Sequence, residues 1–176
     1  FIQSFAIATK VTRIIDGDTF EIETGERVRL IGINTPEMSD IFGVEAKNHL
    51  ANLIEGKNVE LLTDQISNNV DRYNRLLRYI VFDGQDINKK MILDGYAFAY
   101  LKFHFDREKE IEYKEAQLNA TRNNKGIWSN SKKDEIVEQS NTPANKWWME
   151  LSLKHYLIIS LIIMLIAVGF WSYFRK

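Results

Sequence analysis

Apolar and polar residues alternate along the first third of the chain. Lys10 to Ile15 and Thr19 to Glu23 read as two strands around the Asp16-Gly17 turn signal. Thr24-Gly25-Glu26 makes a second turn and leads into Val28 to Ile33, a third strand. The period then changes. From Glu45 to Ile54 the apolar residues Ala46, Leu50, Leu53 and Ile54 share one helical face, and Gly56 follows as a stop. Val59 to Leu62 and Leu76 to Phe82 return to strand character, the latter ending at Asp83-Gly84. Ile87 to Asp94 reads as a helix closed by Gly95. Glu108 to Asn123 reads as a long charged helix with Ile111, Ala116, Leu118 and Ala120 as packing positions. Five strands with about three interposed helices predict an α+β domain, a small Greek-key barrel over residues 9–129.

The flanks differ in character. Residues 130–150 are polar and charged and include a proline, so they predict a flexible stalk. Tyr156 to Phe174 then runs for 19 residues without an Asp, Glu, Lys or Arg. As a helix this segment spans roughly 28 Å, the thickness of a bilayer's hydrocarbon core. Trp147, Trp148 and Tyr156 stand at one end and Trp171 and Tyr173 at the other, as interfacial aromatics do, and Arg175 and Lys176 follow. A transmembrane helix over residues 155–174 is expected. Residues 1–8, which open on Phe1 and close on Ala6-Ile7-Ala8, read either as a signal-peptide remnant or as the lead-in to the first strand.

Composition narrows the chemistry. The 176 residues are 45% hydrophobic and 27% charged, enough for one core. There is no cysteine, which excludes disulfides, thiolate metal sites and cysteine nucleophiles. The net charge of −1 is uneven. Residues 1–150 hold all 24 acidic residues but 20 of the 23 Lys and Arg, a net of −4. Any nucleic-acid binding must therefore come from a local cluster and not from a general basic field.

Three such clusters stand out. In Asp16-Gly17-Asp18-Thr19 two carboxylates flank a turn between strands, where a carboxylate can face a hard cation; a plain Asp-Gly hairpin is the simpler reading. In Arg29 to Glu37 an arginine opens an apolar strand that ends in Asn34, Thr35 and Glu37 around Pro36. Asp71-Arg72-Tyr73-Asn74-Arg75 sets cations and an aromatic ring just before another strand. His49 and His104 have no partners at ligand spacing and read as structural.

Together, the segments IIDGDTFEI, RVRLIGINTPE, DRYNRLLRYIV and NNKGIWS, in this order, resemble the staphylococcal nuclease (thermonuclease) family over residues 10–129. The resemblance implies a five-stranded OB-fold barrel and calcium-dependent, sequence-tolerant hydrolysis of DNA and RNA that leaves 3′-phosphate ends. It implies metal binding by Asp18, Asn34 and the Thr35 carbonyl, with Asn34 standing where the family usually has a second aspartate. Glu37 matches the glutamate that acts on the attacking water, and Arg29 and Arg75 match the arginines that grip the scissile phosphate. Tyr73 matches a tyrosine near the nucleotide, and one of Tyr100 or Phe103 is expected to stack on a base. Asn74 replaces a usual glycine and is expected at positive φ.

The expected protein is thus a monomeric nuclease domain tethered to a bilayer and facing outside the cytoplasm, away from the cell's own genome. Two other readings compete: an OB module with weak or no catalysis that binds nucleic acid or protein at the membrane, and a membrane adaptor whose acidic domain binds protein.

Overall fold

A computed structural model describes residues 6–129. The expected stalk and transmembrane helix, and most of residues 1–8, lie outside the described residues. Among the described residues no helix is long and apolar enough to cross a membrane.

Strand β1 (Ala6–Ile14) pairs antiparallel with β2 (Thr19–Ile22), which pairs antiparallel with β3 (Arg27–Leu30). On its other side β1 pairs with β5 (Asn58–Leu62), which pairs antiparallel with β6 (Leu76–Phe82). The barrel closes where β3 and β6 run parallel, with Val28 opposite Leu76 and Leu30 opposite Arg78. The five expected strands are therefore the staves of one closed barrel, consistent with an OB-fold.

Burial along β1 explains its shape. Thr9, Val11 and Ile14 are buried while Lys10, Thr12 and Arg13 are exposed, so the two-residue alternation slips by one. The register shift between Val11 and Arg13 lies at that slip, as a bulge requires. The core is filled by Val11, Ile14, Phe20, Ile22, Val28, Leu30, Leu61 and Ile80 from the staves. Leu50 and Ile54 of α1 (Gly43–Ile54) join it, as do Met91 and Ile92 of α2 (Ile87–Leu93). Asn88, fully buried on α2, donates to the Ile31 and Arg78 carbonyls and accepts from Ile80 N–H. Its amide satisfies backbone groups beside the parallel seam.

Two expectations are corrected. Val28 to Ile33 is not one strand. β3 stops at Leu30, and a separate β4 (Ile33–Asn34) pairs with β8 (Phe98–Ala99). Gly32 lies between them at φ 73°, and a Cβ there would come within 2.8 Å of the Phe105 ring. The left-handed turn redirects the chain before the apolar run ends. On α3 (Arg107–Arg122) the buried face is Tyr113, Ala116 and Ala120, while Ile111 and Leu118 are about half exposed. Each of these two lies two positions, about 200° of helix, from a buried residue. A short hairpin strand β7 (Gln85–Asp86) precedes α2, and a 3₁₀ turn at Gly126–Trp128 ends the domain.

Candidate active site

The Asp16-Gly17-Asp18 turn links β1 to β2. Asp16 accepts the Asp18 N–H through Oδ1, a local bond that fixes the turn. Gly17 is buried beneath it, and a Cβ there would lie 2.7 Å from Thr35 Oγ1 and 2.8 Å from the Ala46 methyl. Glycine thus lets the turn, the loop after β4 and helix α1 come into contact.

Asp18 is 6% exposed and densely hydrogen-bonded. Its Oδ2 accepts from Thr35 N–H at 3.0 Å, from Thr35 Oγ1 at 3.2 Å and from Arg29 Nη2 at 3.0 Å; its Oδ1 accepts from Thr19 Oγ1 at 3.1 Å. Burial pushes the Asp18 carboxyl up to about 6, and the Asp16 charge adds to this; the Arg29 charge and the hydrogen bonds from Thr35 and Thr19 oppose it.

Arg29 lies on β3 directly opposite Thr19. Its Nη1 donates to the Leu30 carbonyl at 2.6 Å, and its Nη2 reaches Asn34 Oδ1 at 3.3 Å as well as Asp18. One guanidinium nitrogen therefore bridges two of the three expected metal-ligand residues. Burial lowers the Arg29 pKa and the nearby Arg75 charge adds to this, while Asp18 opposes them. Asn34 Nδ2 donates to the Thr35 carbonyl at 3.3 Å, which ties the third ligand group into the same cluster.

Arg75 arrives from the turn before β6. Asp71 Oδ1 accepts the Tyr73 and Arg75 N–H groups, and its Oδ2 accepts Arg75 Nε at 2.7 Å, with Nη2 also at 2.7 Å. Burial alone would raise the Asp71 carboxyl, but these bonds hold it below its ordinary value. Asn74 sits at φ 60°, as expected for the residue that replaces glycine. Arg75 Nη1 donates to Thr19 Oγ1 at 3.2 Å, and Thr19 in turn donates to Asp18. Tyr73 is 64% exposed, with the Arg72 and Arg75 guanidinium carbons 4.7 and 5.4 Å from its ring centroid.

Of the expected site residues, Asp18, Arg29, Asn34, Thr35, Arg75 and Tyr73 thus form one connected set. Glu37 is exposed in the loop two residues past Thr35, and its carboxylate has no hydrogen bond or ion pair among the described residues. Tyr100 donates its N–H to the Gly32 carbonyl, and its ring meets Phe103 edge-on at 5.8 Å; Phe103 is 66% exposed. Among the described residues, no hydrogen bond, ion pair or ring contact joins this pair to the carboxylate-arginine set. Three residues that support this set stood inside the sequence clusters but were given no role of their own there. Asp71 stood in the third cluster, and its bonds to Tyr73 and Arg75 come from the turn that this run forms. Gly17 and Thr19 stood in the first cluster, as the turn glycine and as the residue that opens the next strand. His49 bonds Asp94 at 2.9 Å and stacks on Tyr96.

No group of three His, Cys, Asp or Glu placed to hold a metal occurs among the described residues. The Asp18 carboxylate, the Asn34 amide oxygen and the Thr35 carbonyl are nonetheless all hard oxygen donors linked in one cluster. That donor chemistry fits a calcium- or magnesium-type cation better than zinc.

A closed five-stranded barrel, with a buried carboxylate paired to Arg29 and linked through Thr19 to Arg75, defines a small OB-like barrel protein. Residues 27–130 match the family described as staphylococcal nuclease homologue, and the chain belongs to that family. It is 35% identical to a protein of Haemophilus influenzae named "Uncharacterized endonuclease", over 69% of this chain and 66% of that one. It is 31% identical to the "Thermonuclease" of Staphylococcus hyicus, over 69% of this chain and 75% of that one. The "Micrococcal nuclease" of Shigella flexneri is also 31% identical, over 68% and 72%. The family and its nuclease-named members place the fold among phosphodiester hydrolases.

Proposed function

We propose that this chain is a calcium-dependent nuclease that hydrolyses DNA and RNA with low sequence specificity while held at a membrane by residues 155–174. The observation that carries the catalytic part is the joining of Arg29 and Arg75, through Asp18 and Thr19, in one hydrogen-bonded set. A phosphodiester under attack gains charge on its non-bridging oxygens. Two guanidinium forks meet that charge in paired geometry, which a lysine cannot reproduce.

Asp18, Asn34 and the Thr35 carbonyl would hold the cation, which when bound supplies Lewis-acid charge beside the phosphate. The remaining work falls to the chain's own groups. Arg29 and Arg75 bind and orient the phosphate. Asp71 holds Arg75 through Nε and Nη2, leaving Nη1 toward Thr19. Glu37, whose carboxylate has no protein partner among the described residues, takes or orients the proton of the attacking water. In-line displacement then needs no covalent intermediate. Tyr73, against Arg75, and Tyr100 or Phe103 offer aromatic faces to the bases.

The test is cleavage of single-stranded DNA and RNA by the full chain with calcium, repeated with chelator. Chelator-sensitive cleavage is expected, and its absence would overturn the nuclease reading. One observation favours a weak or inactive binding module instead: Asn34 supplies an amide where a second carboxylate would add charge. Tight binding of the oligonucleotides without cleavage would establish that alternative. The tether and its orientation rest on the apolar length of residues 156–174 and on the hazard of a nonspecific nuclease to its own genome. Cleavage of residues 130–150 by protease added outside intact cells is expected; protection would put the domain on the cytoplasmic side.

A further inference from the structure

The geometry points to Thr19 as a positioning residue, one whose hydroxyl registers the phosphate-binding Arg75 against the Asp18 turn. This inference rests on the nuclease reading for its binding readout but on the structure alone for its second readout.

Thr19 is 2% exposed, so its hydroxyl must find its partners within the protein. A hydroxyl has one proton to give and two lone pairs to accept with. Here the proton goes to Asp18 Oδ1 at 3.1 Å, and a lone pair takes Arg75 Nη1 at 3.2 Å. The simpler reading is a core threonine satisfied where it happened to fall. Such a threonine ordinarily bonds a nearby backbone carbonyl. Thr19 instead joins two charged side chains, and its partner Arg75 lies 56 positions along the chain.

The position also explains why a neutral group belongs there. Arg29 stands opposite Thr19 in the β2–β3 register, and the Arg29 and Arg75 charges repel one another. A basic residue at 19 would add to that repulsion, and an acidic one would compete for both guanidinium groups and draw them from a phosphate. A hydroxyl orients Arg75 without neutralising it. It also polarises cooperatively, since donation to a carboxylate strengthens acceptance from a guanidinium. The hydrogen-bonded path Asp71, Arg75, Thr19, Asp18, Arg29, Asn34 is then continuous, and Thr19 is the link between the segment before β6 and the β1–β2 turn.

The experiment compares the full chain with Thr19→Val and Thr19→Ser, each alone and combined with Arg75→Gln. Binding of a single-stranded DNA oligonucleotide is measured in chelator. Thr19→Val should weaken binding by about tenfold when Arg75 is present and by less than about twofold when it is absent, whereas Thr19→Ser stays near wild type. Equal losses in both backgrounds would mean a merely structural role and would overturn the inference, as would no loss at all. The second readout is ¹⁵N relaxation of the Arg75 Nε–H group without nucleic acid. Thr19→Val should loosen that group and Thr19→Ser should keep it rigid. An equally rigid Arg75 in the valine variant would overturn the inference even if the protein neither bound nor cut DNA. Failure of wild type to bind or cleave would count against the nuclease reading, and the relaxation result alone would then decide the role of Thr19.

Discussion

Asp18 and Arg29 form a buried ion pair at 3.0 Å, with side-chain exposures of 9% and 12%. Neither charge has ready access to water, so the two removals of Arg29 should differ. Arg29→Ala leaves a buried carboxylate without its countercharge and should cost about 3–5 kcal/mol of stability in urea unfolding. Arg29→Lys keeps a cation but loses the fork that reaches Leu30 O, Asn34 and Asp18 together. It should fold with a smaller loss and yet cleave about a hundredfold or more slowly. Cleavage near wild type in the lysine variant would remove Arg29 from the phosphate-binding set.

Gly17→Ala should damage the same site through packing. The added methyl group meets Thr35 Oγ1 and the Ala46 Cβ at under 3 Å. Thr35 cannot yield without disturbing its two bonds to Asp18. A stability loss of about 1–3 kcal/mol is expected, together with weaker calcium binding in titration calorimetry. An unchanged calcium affinity would show that the turn and the Thr35 loop are not mechanically linked.

Asn34→Asp should tighten calcium binding, because it adds a second negative charge to a donor set that now has one carboxylate. It also replaces the amide N–H donor to the Thr35 carbonyl, freeing that oxygen. The calcium concentration for half-maximal cleavage should fall. Identical half-saturation in the two proteins would place residue 34 outside the metal shell.

How far these residues were legible depended on the range of their interactions. Leu76–Phe82 was bounded correctly because an apolar run met a turn signal within a few residues. The positive φ of Asn74 was foreseeable from the resemblance alone, since Asn74 stands where the family usually has glycine. The break at Gly32 was not, because apolar residues flank it and only contact with Phe105 shows why the chain turns. Ile111 and Leu118 were misjudged because α3 carries charge on most of its surface, so periodicity could not single out the stripe centred on Tyr113. Asp18, Arg29 and Arg75 were singled out from motif order, but the Thr19–Arg75 link spans 56 positions and no local pattern encodes it.

A pH dependence of stability is expected from a second carboxylate, Asp94. Asp94 is held down to about 2 by its hydrogen bond from His49 and by Lys90, against the opposing effect of burial. A carboxylate with a lowered folded-state pKa stabilises the protein above its ordinary value near 3.8, and that contribution is lost as pH falls through about 2. Asp94→Asn should therefore cost up to about 2 kcal/mol at pH 6 and progressively less on acidification. Urea unfolding at pH 6 and pH 3 checks this; a loss that does not shrink at pH 3 would assign the effect to packing against His49.

The parallel seam between β3 and β6 has a consequence for the order in which the molecule becomes competent. Val28 and Leu76 pair there across 48 positions of sequence, and the same closure brings Arg75 to Thr19 and Arg29. Long-range parallel pairing carries a high loop-closure cost and forms slowly relative to local hairpins. The β1–β2–β3 meander can form early with Asp18 and Arg29 in place while Arg75 is still on an unattached part of the chain. On this ordering the proposed pair of phosphate-binding arginines is completed only when the seam closes, and a partly folded chain has one of the two in position.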